Sequence, residues 1–312
     1  MAQALGRDIE DLFSAGSGLQ LCPLGAGAVG GTSLPINAAR TAALLGFESP
    51  IANSIDAVAS RDLILRLLSA QTILGVTLSR LAGDLLLWST AEFGFLAFPD
   101  QLVGSSSMMP QKRNPFLLEH VQGRSTVALG AFVSAASAMH AKPFTNSIAV
   151  GTEAVSHIWK GFESITEATV LARLVVAGAQ PEREAMLRRA RDGYTNATEL
   201  ANRMMLQSGV SFRTAHMKVG SIIREALERG GEPLENLDPS TIVHTADYGG
   251  GPGPTPHESC LKTLRDQWRR NRERRRLQAQ QWSNADETLS AAVRQFVAEQ
   301  IHEPILAADL RG

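Results

Sequence analysis

The chain has 312 residues, 44% of them hydrophobic and only 5% aromatic, and carries a formal net charge of −1. That length buries a substantial core in one large domain or two smaller ones, and a near-neutral chain has no global attraction to nucleic acid or an anionic membrane surface. The two cysteines, Cys22 and Cys260, lie far apart without metal or redox spacing, so they read as reduced thiols. No basic N-terminal region precedes an apolar run, and no stretch approaches the roughly 20 apolar residues of a membrane span. A soluble, cytoplasmic protein without membrane contact is the expectation.

Residues 2 to 15 place Leu5, Ile9, Leu12 and Phe13 at helical spacing, with Arg7, Asp8, Glu10 and Asp11 on the other face. The next segment, Pro23 to Pro35, holds Gly25, Gly27, Gly30 and Gly31 between two prolines and reads as an ordered loop. No Gly-Lys-Ser/Thr ending follows it, so a phosphate-cradling role is weak. A short helix from Asn37 to Leu45 ends at Gly46, a C-terminal cap. From about Ser60 to Thr90, Leu63, Leu67, Leu74, Leu78, Leu81 and Leu85 keep returning to one side of a helix about 45 Å long. Arg80 and Asp84 form an i, i+4 pair that solvates its outer face.

Phe116 to Met139 repeats the helical pattern with small residues (Ala128, Gly130, Ala131, Ala135, Ala136) that permit close contact with the Arg61 helix. Pro143 interrupts the pattern and Thr152 to Ala179 resumes it, giving a long-helix bundle over about residues 50 to 180. Composition changes at Gln180-Pro181. Beyond it shorter helices are predicted over Arg183–Arg191, Ala197–Gln207 and Phe212–Arg229, the last stopped by Gly230-Gly231. The expected organisation is therefore all-α, with a central bundle domain over 1–180 and a small helical domain over 181–312. Tyr248 to Pro256 reads as a second rigid loop, and Arg265 to Arg276 carries seven arginines. With Trp268 its only aromatic, that run reads as a solvated helix face rather than a nucleic-acid surface.

Between the two long helices lies Ser105 to Pro115, Ser-Ser-Ser-Met-Met-Pro-Gln-Lys-Arg-Asn-Pro, preceded by Gly104 and followed by Glu119. Serines compete for backbone hydrogen bonds and Pro110 lacks a donor, so the stretch is a loop. Ser106 and Ser107 supply hydroxyls, Lys112 a cation, and Pro115 opens a helix whose N-terminus adds positive potential and N–H donors. Together these bind a carboxylate and favour serine ionisation; the same residues also make a serine-rich connector with a helix cap. Gly-x-Ser-x-Gly, His-Glu-x-x-His and metal-spaced carboxylates are absent, and His120 reads as a helix-face residue. A metal-free, cofactor-free reaction on a small carboxylate is the enzymatic reading.

The loop resembles the signature Gly-Ser-Ser-x-Met-Pro-x-Lys-x-Asn-Pro of the fumarase/aspartase superfamily. Further stretches resemble argininosuccinate lyase: Cys22-Pro-Leu-Gly-Ala-Gly-Ala-Val-Gly-Gly-Thr, Asn53-Ser-Ile-Asp-Ala-Val-Ala-Ser-Arg-Asp, Leu78 to Phe95, Gly209-Val-Ser-Phe-Arg-Thr-Ala-His, and the Gly249 to Pro254 loop. The resemblance implies a fumarase/aspartase-type long-helix bundle, a homotetramer whose sites are shared among three subunits, and β-elimination of fumarate from argininosuccinate or a related N-substituted succinate. By position, it makes Ser106 the base for the Cβ proton, and has Lys112 and Asn114 hold the substrate carboxylate and stabilise the aci-carboxylate, with Ser107 beside them. Glu119 matches the acid that orients the family's catalytic histidine. Arg61 matches an arginine near the substrate carboxylate, and fits a structural ion-pair partner equally well.

The sequence departs from the family pattern in three ways. It starts where the second half of the family's protein starts, so the Thr-His segment that supplies the general acid is expected on another polypeptide or a lost segment. Ser105 replaces the signature glycine, and its Cβ falls where φ > 0 would be costly. After Pro143, the family's Tyr, Gln and Lys, which hold the amino-acid part of argininosuccinate, are Asn146, Gly151 and Ala154. A truncated, non-catalytic oligomeric or scaffold relative is the alternative reading. The expected partners are a small dicarboxylate-type substrate and either other copies of the chain or an N-terminal half.

Overall fold

The computed structural model describes residues 1–231 and 238–302; the remainder of the expected 181–312 domain lies outside the described residues. The architecture is all-α, as expected. Helix α1 (Ala2–Ala15) ends at Gly16, whose N–H donates to the Leu12 carbonyl at 3.0 Å. One placement differs: Asp8, assigned to the solvent face, is only 4% exposed. Gly6 is buried as well. The two stand about 200° apart around the helix, so α1 is covered on two sides rather than one.

The glycine-rich segment is an ordered loop, with the Gly31 N–H on the Ala26 carbonyl at 2.8 Å. Asn37 caps α2 (Ala38–Leu44) by accepting from the Arg40 N–H at 2.9 Å. Gly46 follows with φ +80°, and a Cβ there would lie 3.0 Å from that of Ala285, so both backbone and packing call for glycine. Two very short strands escaped the helical pattern: β1 (Leu21–Cys22) pairs in parallel with β2 (Ser49–Pro50).

Helix α3 (Asp62–Trp88), α4 (Phe116–Met139) and α5 (Ala154–Gly178) are the long helices. A π-helical turn, Asp56–Ser60, precedes α3 and is separated from it by Arg61 in the left-handed region; another, Ala149–Glu153, leads into α5. Ser60 Oγ donates to Asp62 at 2.7 Å and Arg66 pairs with it at 2.8 Å. Chiefly the Arg66 hydrogen bond, then that of Ser60, holds the Asp62 carboxyl below its ordinary value.

By contacts the chain divides into two compact units. The first comprises 1–77, 123–167 and 266–312. Its core packs Leu67 and Leu68 of α3, Ala131 and Ala135 of α4, and Ala154 and Ile158 of α5. The small side chains do what their size suggests: Ala135 is fully buried, and a Cβ on Gly75 would come within 2.7 Å of the Ser125 carbonyl oxygen, which brings α3 against α4. Gly130 is exposed and takes no part. Helix α3 is long and apolar enough to cross a membrane, contrary to the residue-count expectation. Its buried leucines at 67, 68, 74, 78 and 85 mark it as a core helix.

The second unit comprises 78–122 and 168–265. It buries Leu78, Ala82 and Leu85 of α3, Leu118 and Val121 of α4, and Ala168, Ala172 and Val175 of α5. The composition change at Gln180-Pro181 is a strand: β4 (Gln180–Pro181) pairs antiparallel with β3 (Leu96–Ala97). Helices α6 (Arg183–Asp192), α7 (Ala197–Ser208) and α8 (Phe212–Glu228) follow as expected, and α7 and α8 share a core around Ala201, Ala215 and Val219. The short α9 (Pro239–Thr245) was not anticipated. Asp247 then caps α10 (Pro254–His302), accepting from the Thr255 N–H at 3.1 Å. At 49 residues α10 is the longest helix among the described residues.

Candidate active site

The serine-rich stretch is a loop closed at its base. Gly104 and Asn114 form an isolated antiparallel bridge, each N–H donating to the other's carbonyl at 2.8 Å. The Phe116 ring lies over Gly104: a Cβ there would approach its Cδ1 at 3.0 Å, a tight contact that requires the ring to shift by a few tenths of an ångström. Phe116 also meets His120 edge-on, with centroids 5.8 Å apart. Arg113 secures the loop from outside, donating to the Phe98 carbonyl at 2.7 Å and pairing with Asp100. None of these anchors was read from sequence, because they join residues through backbone groups, ring contacts and an ion pair that no local spacing marks.

Within the loop, Ser106 Oγ accepts two backbone N–H bonds, from Met108 and Met109, at 3.2 Å each. Two dipoles aimed at one oxygen stabilise negative charge on it. The Lys112 N–H on the Met109 carbonyl at 3.0 Å turns the chain so that the loop folds back to Asn114. Ser106 and Asn114 are half-buried, whereas Ser107, Lys112 and Glu119 are exposed. Lys112 and Glu119 form no ion pair among the described residues.

Two expectations change here. Helix α4 begins at Phe116, one residue after Pro115, and the first amides are not all free: Phe116 N–H donates to the Asn114 carbonyl at 2.8 Å and Leu118 N–H to the Pro115 carbonyl at 2.9 Å. Ser105 does not adopt a positive φ, so its Cβ carries none of the strain anticipated for a replaced glycine.

Arg61 belongs to the first unit. Its φ is +53°, its Nε is buried without a hydrogen-bond partner, and it makes no ion pair among the described residues. A guanidinium held in a costly backbone conformation and left unpaired is a candidate for an anionic ligand. Asn146, Gly151 and Ala154 also lie in the first unit, the last two on the π-helical turn and at the start of α5.

A family model described as lyase matches residues 1–130, and one described as argininosuccinate lyase C-terminal matches residues 194–247. The chain is 37% identical to the argininosuccinate lyase of Methanothrix thermoacetophila over 276 residues, which is 81% of this chain and 56% of that protein. The Methanosarcina barkeri argininosuccinate lyase is 32% identical over 317 residues, 94% of this chain and 64% of that protein. The chain belongs to the argininosuccinate lyase family of the fumarase/aspartase superfamily. Among solved structures, EDDS lyase in complex with formate matches this family member with a TM-score of 0.87 and 27% identity, over 95% of this chain and 64% of that one. An EDDS lyase variant with bound fumarate matches equally well. Class II fumarase from Schistosoma mansoni, at a TM-score of 0.57 and 17% identity over 75% of this chain and 56% of that one, shares the fold. The chain thus spans 56% and 64% of the length of the two curated relatives described.

Proposed function

We propose that this chain forms part of a carbon–nitrogen lyase that eliminates fumarate from argininosuccinate or a related N-substituted succinate. Ser106 takes the Cβ proton, the C–H electron pair becomes the new double bond, and the bond from Cα to nitrogen breaks as the amine leaves. The observation that carries this reading is the pair of N–H donors on Ser106 Oγ, which favour the alkoxide a serine base requires. Lys112 and Asn114 hold the substrate carboxylate and stabilise the aci-carboxylate, Ser107 and Arg61 bind the substrate, and Glu119 orients the acid that protonates the amine. The unpaired guanidinium of Arg61 supports its assignment to a carboxylate rather than to a structural ion pair. No metal or cofactor enters the scheme.

The replacement of the family's Tyr, Gln and Lys by Asn146, Gly151 and Ala154 supports a substrate whose amine part differs from that of argininosuccinate. The lyase relatives disfavour the scaffold alternative. A soluble, cytoplasmic homo-oligomer, tetrameric as in the family, is the assembly we infer, with division into 1–180 and 181–312 as folding domains. The test is ultraviolet detection of fumarate from a panel of N-substituted succinates. The chain is assayed alone and mixed with the N-terminal half of the Methanothrix thermoacetophila relative. Fumarate production is the expected result, and its absence from every mixture and substrate contradicts the proposal.

A further inference from the structure

The basic run Arg265 to Arg276 lies on α10 and has no part in the elimination. Its charges are unevenly neutralised. Arg269 pairs with Asp266 at 3.5 Å, Arg274 with Glu10 at 3.8 Å, and Arg276 grips both oxygens of Glu273 at 2.9 and 2.7 Å. Arg272 and Arg275 have no carboxylate partner among the described residues. These two and Arg276 line a groove of about 620 Å³ between α10 and the Gly6, Ile9 and Phe13 face of α1, with no carboxylate in its lining.

The groove is preformed. Gln267 Nε2 donates to the Gly6 carbonyl at 2.9 Å, its amide lying close over Gly6, and the Arg274 guanidinium lies 4.7 Å from the Phe13 ring centroid. Trp268, Arg272, Arg275 and Ala279 recur at intervals of four, three and four, so they share one face of α10. One wall is therefore cationic and the other apolar, with the 59%-exposed Trp268 at the rim. In a chain of net charge −1 this is a local feature and not a reflection of overall basicity. Two unpaired guanidinium forks suit a phosphate or dicarboxylate head, and Phe13 and Trp268 suit a flat apolar body.

We propose that this groove binds an organic dianion with a flat apolar body, its head on Arg272 and Arg275 and its body against Trp268 and Phe13. The site is independent of the lyase reading, since no residue of the elimination lines it. Isothermal titration of the intact chain with adenosine 5′-monophosphate provides the test, with inorganic phosphate as the head alone and adenosine as the body alone. The expected result is saturable binding of the monophosphate at least about tenfold tighter than either fragment. It is expected to be lost in Arg272→Ala/Arg275→Ala and kept in Arg270→Ala, which lies off this face. Because the substituted arginines are exposed, the variants are expected to keep the wild-type melting temperature. No saturable heat, equal binding by inorganic phosphate, or unchanged binding in the double variant overturns the proposal.

Discussion

A serine hydroxyl is a poor base in water because its anion is almost unpopulated, so any chemistry assigned to Ser106 depends on what surrounds Oγ. The Met108 and Met109 amides converge on it because the loop turns tightly there and closes at the Gly104–Asn114 bridge. Gly104 stands at that closure, and the Phe116 ring lies 3.0 Å from where its Cβ would be, so an added methyl pushes on the ring. Gly104→Ala is expected to cost about 1 to 3 kcal/mol through overpacking and to lower lyase turnover by a larger factor than it raises KM. Denaturant titration and steady-state kinetics measure the two effects, and unchanged kinetics would detach the bridge from the reaction. The candidate residues stood out in the sequence because hydroxyl, ammonium and amide groups cluster there. Their supports were not: Phe116 and Gly104 look like ordinary helix and turn residues until their contact is seen.

The helices were legible because the leucine periodicity of α3 and the run from Phe116 to Met139 both follow the 3.6-residue repeat. The π-helical turns before α3 and α5, the two-residue strands and α9 were not, since each is too short to establish a period. Small residues predicted close packing in α4, but only contact shows which of them use it. On α3 the decisive one is Gly75, where an added Cβ would meet backbone oxygen at 2.7 Å, and backbone cannot rotate away. Gly75→Ala is therefore expected to destabilise the protein by about 1 to 3 kcal/mol despite alanine's higher helix propensity. Thermal melting checks this; a raised melting temperature would mean that α3 and α4 separate easily.

In the first unit, apolar side chains remain exposed on all three long helices: Ile73 and Val76 on α3, Leu129 and Val133 on α4, and Trp159 on α5, which is 73% exposed. Apolar surface spread over several core helices points to association with further protein. Light scattering is expected to report an oligomer, and Val133→Asp/Trp159→Asp is expected to reduce its mass; a monomeric wild-type chain would contradict the proposed assembly. No composition argument locates this surface, because the same residues serve equally well in a core.

The central claim is that Ser106 removes the Cβ proton of an N-substituted succinate. Proton NMR in D₂O follows that step directly across the panel of N-substituted succinates, argininosuccinate included, since loss of a Cβ signal records either exchange with deuterium or conversion to fumarate. Such loss is expected for at least one of these substrates with the wild-type chain and the N-terminal half of a relative, slowed about 10²- to 10⁴-fold in Ser106→Ala. Cβ signals that persist for every substrate with the wild-type chain, or that decay equally fast in the variant, rule out Ser106 as the base.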